Sequence, residues 1–327
     1  LGPELPAALA GAADALLEGV SRRDLADRAG RVSATYRRGG ASSVAIGGAA
    51  DATAYVLSRL PATYAAATAA IEAVEAAAPD FAPRTLLDAG AGPGGASWAA
   101  LQAWPRIEAA VLLDSSPVFL DMARRLAVAG PPTLAQAEFL RGDLTRPEAD
   151  WPRADLVIVS YALAEIAPDR LGAVVEGLWA ACAGVLVIVE PGTPAGTGRV
   201  LAAREKLIAA GARVAAPCPH DRPCPLAAPN WCHFSQRLPR RRDHRLAKGA
   251  EAPFEDEKYA YVVLARPEVE LAPAGDRVIA PPRVGKPGID LEVCGLDGVE
   301  RRFVARRDRA AYAEHRRLAW GDRLARR

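Results

Sequence analysis

Between residues 84 and 215, short apolar runs alternate with helical segments. This alternation most limits the folds open to the chain. The runs fall at 85–88, 110–114, 138–140, 156–160 and 185–190, with helical stretches at 119–127, 171–181 and 198–210 among them. Strands that alternate with helices pair in parallel and carry helices on both faces. The predicted fold class is therefore α/β, a Rossmann-like core, with a sixth strand expected at 259–265. Ahead of it, residues 4–80 are alanine-rich and helical. Leu5, Leu9, Leu16 and Leu17 recur at roughly helical spacing, and a glycine–serine loop at 39–43 interrupts the pattern. Two further helices are predicted at 48–59 and 61–78, the second opened by Pro61. Behind the core lie short strand-like pieces at 278–280, 289–294 and 303–305, then a basic helix at 309–320. Four parts are expected: an N-terminal helical region (1–80), the core (81–215), a cysteine-bearing loop with a basic segment (216–258), and the final core strands with a β extension (259–327).

The first strand runs into Leu87-Asp88-Ala89-Gly90-Ala91-Gly92-Pro93-Gly94-Gly95. Glycines let the backbone turn tightly and approach a ligand at a helix N-terminus. Asp114 ends the second strand, where a carboxylate can bind ribose hydroxyls. Asp143 follows the third, where an acid can reach an adenine amino group. This D-x-G-x-G-x-G pattern with two strand-ending acids resembles the S-adenosylmethionine-dependent methyltransferases more than the dinucleotide-binding enzymes. The resemblance makes Asp88, Gly90, Gly92, Gly94, Asp114 and Asp143 the candidate cofactor residues. A catalytic residue is not identifiable. Nucleic-acid amino-methylating enzymes carry Asn/Asp-Pro-Pro-aromatic after strand four. Here that position reads Ser160-Tyr161-Ala162-Leu163-Ala164-Glu165, without the prolines or the amide. Tyr161 and Glu165 read as pocket-lining or helix-capping residues before they read as proton-transfer groups.

Four of the five cysteines lie in the last third: Cys218, Cys224 and Cys232 within fifteen residues, then Cys294. Prolines flank Cys218 and Cys224, stiffening the loop and removing backbone donors. Nothing points to an oxidising compartment, so a disulfide is the weaker reading. The spacing C-x5-C-x7-C lacks the short knuckles of common zinc sites. Four thiolates, or three with His220 or His233, would still complete a tetrahedron. On spacing alone a cluster and zinc stand level. Cys182, in Ala180-Ala181-Cys182-Ala183, reads as a small core residue.

The net charge of +2 conceals an asymmetry. Residues 237–248 carry six positive and one negative side chain, and residues 301–327 carry ten and three. Arginine forks match phosphate oxygens, so both segments are candidate phosphate-binding surfaces, although solvated basic faces would look the same. In the first segment the candidates are Arg237, Arg240, Arg241, Arg242 and Arg245. No apolar run reaches the length of a membrane span. The first twenty residues hold acids and neither arginine nor lysine, unlike an export signal or a mitochondrial presequence. A bacterial cytoplasmic address is expected, with no membrane or DNA partner.

Larger stretches carry a more specific resemblance: Arg59-Leu60-Pro61-Ala62-Thr63-Tyr64-Ala65-Ala66, the glycine turn, Glu190-Pro191-Gly192-Thr193-Pro194, residues 218–240, Phe254-Glu255-Asp256-Glu257-Lys258-Tyr259 and Ala319-Trp320-Gly321-Asp322. Together they resemble the methyltransferase-like family of the mitochondrial small ribosomal subunit (methyltransferase-like protein 17 type) and its bacterial relatives. The resemblance implies three things. Cys218, Cys224, Cys232 and Cys294 hold a 4Fe-4S cluster, with zinc the alternative. The protein binds small-subunit rRNA in ribosome assembly or translation. The methyltransferase fold can hold S-adenosylmethionine, with methyl transfer to rRNA an alternative function. A small-molecule methyltransferase with a zinc site is a further alternative that leaves the basic segments without a purpose.

Overall fold

The computed structural model describes residues 2–37, 45–146 and 151–325. The glycine–serine loop at 39–43 lies outside the described residues. Ahead of the core come α1 (Ala7–Ala15), α2 (Arg22–Arg37), α3 (Ala49–Ser58) and α4 (Leu60–Ala77). The core continues with β1 (Thr85–Ala89), α5 (Gly95–Ala103), β2 (Ala109–Asp114), α6 (Pro117–Ala127), α7 (Pro132–Ala135), β3 (Glu138–Arg141) and β4 (Ala154–Ser160). Then follow α8 (Pro168–Ala181), β5 (Cys182–Pro191), α9 (Pro194–Ala209), β6 (Arg213–Ala216), β7 (Phe234–Pro239), α10 (Arg242–Lys248) and β8 (Phe254–Ala265).

These strands form one sheet in the order β3-β2-β1-β4-β5-β8-β6, with β7 also on β8. The first five are parallel, as the alternation predicts. The rest of the sheet departs from that expectation. The strand placed at 259–265 begins at Phe254 and runs antiparallel to β5, β6 and β7. A parallel neighbour needs a full crossover on one face. The short α10 is instead part of a local return from β7, so β8 comes back antiparallel. Strands β6 and β7 have no apolar alternation strong enough to mark them in sequence. They follow one another along one edge of β8, with β6 opposite Val263–Ala265 and β7 opposite Phe254–Tyr259. The loop at 217–233 leaves the sheet edge between them.

Alternate side chains of the central strands enter opposite cores. Leu86, Leu112, Ile158 and Val187 face α4 to α6, whereas Leu87, Leu113, Val157 and Ile188 face α8 and α9. Burial on both faces explains the unbroken apolar runs in β4 and β5. Each such side chain contributes about 1.5–3 kcal/mol on leaving water. Cys182 is fully buried in the second of these cores, the place expected for it.

The chain ends in a smaller antiparallel sheet: β9 (Asp276–Val278), β10 (Arg283–Val284), β11 (Gly288–Gly295), β12 (Gly298–Ala305) and β13 (Arg323–Leu324). Val278, Ile289, Leu291, Val293 and Leu324 fill its own core. Helix α11 (Arg309–His315) is shorter than the predicted 309–320. Its chain turns at His315, where Leu318 N–H donates to the His315 carbonyl, and Leu318 tucks against the small core.

Candidate functional site

The strand order reverses between β1 and β4, and in open α/β sheets ligands bind outside the carboxyl ends of strands at such a point. A cavity of about 390 Å³ lies there. It is lined by Gly90 and Gly92 after β1, Asp114 ending β2, Gly142 and Asp143 after β3, Ser160 ending β4 and Tyr161 after it. The backbone at Gly90, Gly92 and Gly94 is left-handed, with φ of 75°, 53° and 88°. At Gly90 a Cβ would come within 2.4 Å of the Ala162 Cβ, so the turn and the segment after β4 meet with no room to spare.

Of the six predicted cofactor residues, four line this cavity and two lie behind it. Asp88 is buried, and its Oδ2 accepts from Ser97 N–H (3.0 Å) and Ser97 Oγ (2.7 Å). It therefore ties β1 to α5. Burial pushes its pKa up to about 6 against the opposing hydrogen bonds from Ser97. Gly94 is the N-cap of α5. Asp114 accepts from Gly92 N–H (2.7 Å) and Ser116 N–H (2.8 Å); burial raises its pKa while those bonds restrain it. Asp143 accepts from both Thr145 N–H and Thr145 Oγ1, and the hydroxyl bond holds its carboxyl below the ordinary range.

Tyr161 has φ of +61°, a strained value for a residue with a side chain. Two bonds fix it: its N–H donates to the Val189 carbonyl (2.7 Å) and its hydroxyl to Glu257 Oε1 (2.9 Å). Glu257 lies 3.7 Å from the Arg59 guanidinium. Arg59, Tyr55 and Thr63 complete the cavity wall from the N-terminal helices, and the motif reading did not find them there. One signal existed. Arg59 is the lone cation between residues 39 and 83.

The four cysteines of the C-terminal third line a second cavity, together with Thr197, Arg204, His220, Phe234, Tyr261 and Arg277. Cys218, Cys224 and Cys232 come from the loop between β6 and β7, and Cys294 from β11. Ala260, Tyr261 and Val262 also line it, at the stretch of β8 between its contacts with β6 and β7. All four are free thiols. Burial pushes Cys218, Cys232 and Cys294 upward, Cys294 to about 12, and neighbouring thiols add to this because one thiolate disfavours the next. Among the described residues no three His, Cys, Asp or Glu side chains are placed to hold a single metal ion.

Arg204 lines this cavity at 1% exposure. Its Nη2 donates to the carbonyls of His220 (2.6 Å) and Arg222 (2.8 Å), while Nε and Nη1 are buried with no hydrogen-bond partner. Arg277 spans the loop and the C-terminal turn through the carbonyls of Pro217 (3.1 Å) and Gly321 (2.8 Å). A thiolate-ligated centre is net anionic, so four thiols with the buried Arg204 and the half-buried Arg277 make a donor set that fits one.

The basic segment is more committed than its sequence suggests. Arg237 faces Asp256 across the β7–β8 pair at 2.7 and 2.8 Å and stacks on Phe254. Arg240 is 16% exposed beside Glu255, and Arg241 pairs with Asp14. His244 and Lys248 of α10 also reach Glu255. Burial alone would raise the Glu255 carboxyl, but these two partners outweigh it and hold it well below the ordinary range. Arg242 and Arg245 have no ion-pair partner among the described residues, and Arg242 is exposed. No helix among the described residues is long and apolar enough to cross a membrane.

Residues 49–325 match the family described as mitochondrial small ribosomal subunit Rsm22. The chain is similar to the human ribosome assembly protein METTL17, mitochondrial, with 29% identity over 289 residues, covering 83% of this chain and 61% of that one. It is also similar to Rsm22-cox11 tandem protein 2, mitochondrial, of Schizosaccharomyces pombe, with 24% identity, covering 82% and 42%. The chain thus spans less than two thirds of the length of these relatives. Among solved structures, the magnesium protoporphyrin IX methyltransferase ChlM from Synechocystis PCC 6803 with bound SAM aligns at a TM-score of 0.41 and 14% identity, covering 62% of this chain and 79% of that one. The mitomycin 7-O-methyltransferase MmcR aligns at 0.40 and 19%, covering 81% and 73%. The architecture is an α/β core with N-terminal helices and a C-terminal antiparallel sheet. Matched over residues 49–325, the chain belongs to the Rsm22 family of the mitochondrial small ribosomal subunit.

Proposed function

We propose that the protein binds small-subunit rRNA and acts in ribosome assembly. It would use a methyltransferase fold that holds S-adenosylmethionine, and a 4Fe-4S cluster on Cys218, Cys224, Cys232 and Cys294. The observation that carries the reading is the cysteine cavity within a family of the small ribosomal subunit. Thiols from two distant segments line it together with Arg204 and Arg277. Zinc on the same thiols is the alternative. When bound, a cluster supplies a rigid four-point junction between the loop and β11. Arg204 and Arg277 balance the thiolate charge, and the four ligands close a long stretch of chain, which stabilises the C-terminal sheet against the core.

In the first cavity, the Asp114 and Asp143 carboxylates and the open backbone at Gly90 and Gly92 support binding of an adenosyl group. An assembly role is favoured over methyl transfer by Tyr161. Its hydroxyl, beside the position where a catalytic motif would sit, is given to Glu257. The test is anaerobic purification with absorption, iron, sulfide and zinc measurement, then co-sedimentation with small ribosomal subunits and a methylation assay on their RNA. About four irons and four sulfides per chain, with sedimentation and no methyl transfer, is the expected result. One zinc per chain removes the cluster, and failure to sediment removes the ribosomal role. Methylated RNA would turn the assembly factor into an enzyme.

A further inference from the structure

We propose that the outer face of the C-terminal sheet is a stacking platform for an unpaired RNA nucleotide, with Phe303 as the ring and Arg283 and Arg301 as phosphate contacts. This rests on the RNA-binding reading above and deepens it. Strand β11 sends Ile289, Leu291 and Val293 into the small core, each at most 2% exposed. Asp290, Glu292 and Cys294 therefore face the other way. Strand register extends that face sideways. Asp290 lies opposite Arg283 on β10 and Phe303 on β12, and Glu292 lies opposite Arg301. The face that bears Phe303 thus continues to Cys294 at its far end.

Phe303 is 54% exposed, whereas its neighbour Val304 packs on the core. The exposed ring is nonetheless held. A Cβ on Gly288 would come within 2.7 Å of the Phe303 Cζ and 2.9 Å of Cε2, so the ring lies against the bare glycine backbone. A held aromatic on an open sheet face offers a surface for a base to stack on. Stacking needs a base out of its duplex, which selects single strands over helices. Arg283 and Arg301 are exposed and have no ion-pair partner among the described residues. Asp290 and Glu292 share the face without coming within ion-pair distance of either, so both guanidinium groups remain available to phosphate. The net charge of residues 301–327 has the sign a phosphate chain requires.

The test compares the full chain with Phe303→Leu, Phe303→Trp and Arg301→Ala in binding a short unstructured RNA and a duplex RNA of equal length across a salt series. Phe303→Leu keeps an apolar cover on Gly288 but removes the π-face. It should weaken unstructured RNA by at least about fivefold, leaving duplex affinity and the salt slope unchanged. Phe303→Trp should retain wild-type affinity. Arg301→Ala should lower the salt slope by about one. Ultraviolet crosslinking of a 4-thiouridine RNA to the wild-type chain should place an adduct on the β12 peptide, a readout that needs no variant to fold. Wild-type affinity in folded Phe303→Leu, or adducts confined to other peptides, overturns the platform and leaves the ribosomal reading standing. A wild-type chain that binds neither RNA overturns both.

Discussion

The indole Nε1 of Trp231 donates a 3.0 Å hydrogen bond to the carbonyl oxygen of Gly192. Trp231 is one residue before Cys232, and Gly192 is one residue after Pro191, which lines the cavity at the carboxyl ends of β1 and β4. A second bond runs beside the first, from Thr197 Oγ1 to the Cys232 carbonyl at 2.9 Å. Gly192 N–H in turn donates to the carbonyl of Lys258, next to the Glu257 that holds Tyr161. The cysteine loop is therefore braced against the turn that walls this first cavity.

Trp231→Phe removes the donor and keeps an aromatic ring. The loss of one hydrogen bond is worth about 1 kcal/mol. S-adenosylmethionine affinity, measured by calorimetry, should fall by up to about fivefold. Unchanged affinity in a folded variant would show that the brace does not reach the cavity.

Gly90 and Gly92 should respond unequally to alanine, although both have positive φ. At Gly92 nothing lies within 4 Å of the added Cβ, so Gly92→Ala meets backbone strain alone, about 1–2 kcal/mol. At Gly90 the same strain is joined by the collision with Ala162. Gly90→Ala should be several kcal/mol less stable in urea unfolding, about the scale of an overpacked core. Equal midpoints would contradict the close approach.

Asp88 gives the fold a pH dependence of definite sign. Its pKa is about 6 in the native protein against an ordinary 3.8, because burial disfavours the charge. The native state thus holds this proton more tightly than the unfolded chain. The Asp88 contribution to stability is fully present below about pH 4 and is lost as pH rises through about 6, a change of about 2–3 kcal/mol. Asp88→Asn keeps an acceptor for Ser97. The wild-type minus variant stability difference should therefore slope downward between these pH values and be flat outside them. A flat difference throughout would sink the assignment.

The cysteines should separate four to one. Serine at Cys218, Cys224, Cys232 or Cys294 should lower the iron content of anaerobically purified protein, whereas Cys182→Ala should retain it, at a stability cost for the small cavity left in the core. Arg204→Met tests the charge balance. It removes the donor to two loop carbonyls and the buried cation, so iron loss should accompany a fall in melting temperature. Full iron content in that variant would show that Arg204 serves the loop alone.

Within the basic segment, Arg242→Ala should weaken rRNA binding more than Arg237→Ala. Arg237 already gives its fork to Asp256, while Arg242 is exposed and unpaired among the described residues. Filter binding over a salt series reads the difference as a slope about one unit smaller for Arg242→Ala. Equal slopes would mean that the Asp256 pair opens on the RNA.

The sequence by itself determined the alternating core, the glycine turn and which residue types were available for chemistry. Each is a local signal: a period of apolar residues, a run without Cβ atoms, a set of thiols on a proline-stiffened loop. Such signals follow from the backbone within a few residues, and a doubly buried strand such as residues 185–190 announces itself by being apolar throughout. The tertiary structure decided what depends on pairing at a distance. Strands β6 and β7 have ordinary compositions and become strands because β8 offers them an edge, and the gap between them is where Cys218, Cys224 and Cys232 line one cavity with Cys294. Asp88 looked like a cavity residue and is a buried tie to Ser97, because it lies level with Leu112, two residues short of Asp114 and the cavity, where α5 packs on the sheet. Arg237 and Arg241 looked like free cations and are paired, since Asp256 and Asp14 reach them only after the sheet and the N-terminal helix have docked. A charge is fixed by the residue, but its availability depends on which opposite charge folding places beside it.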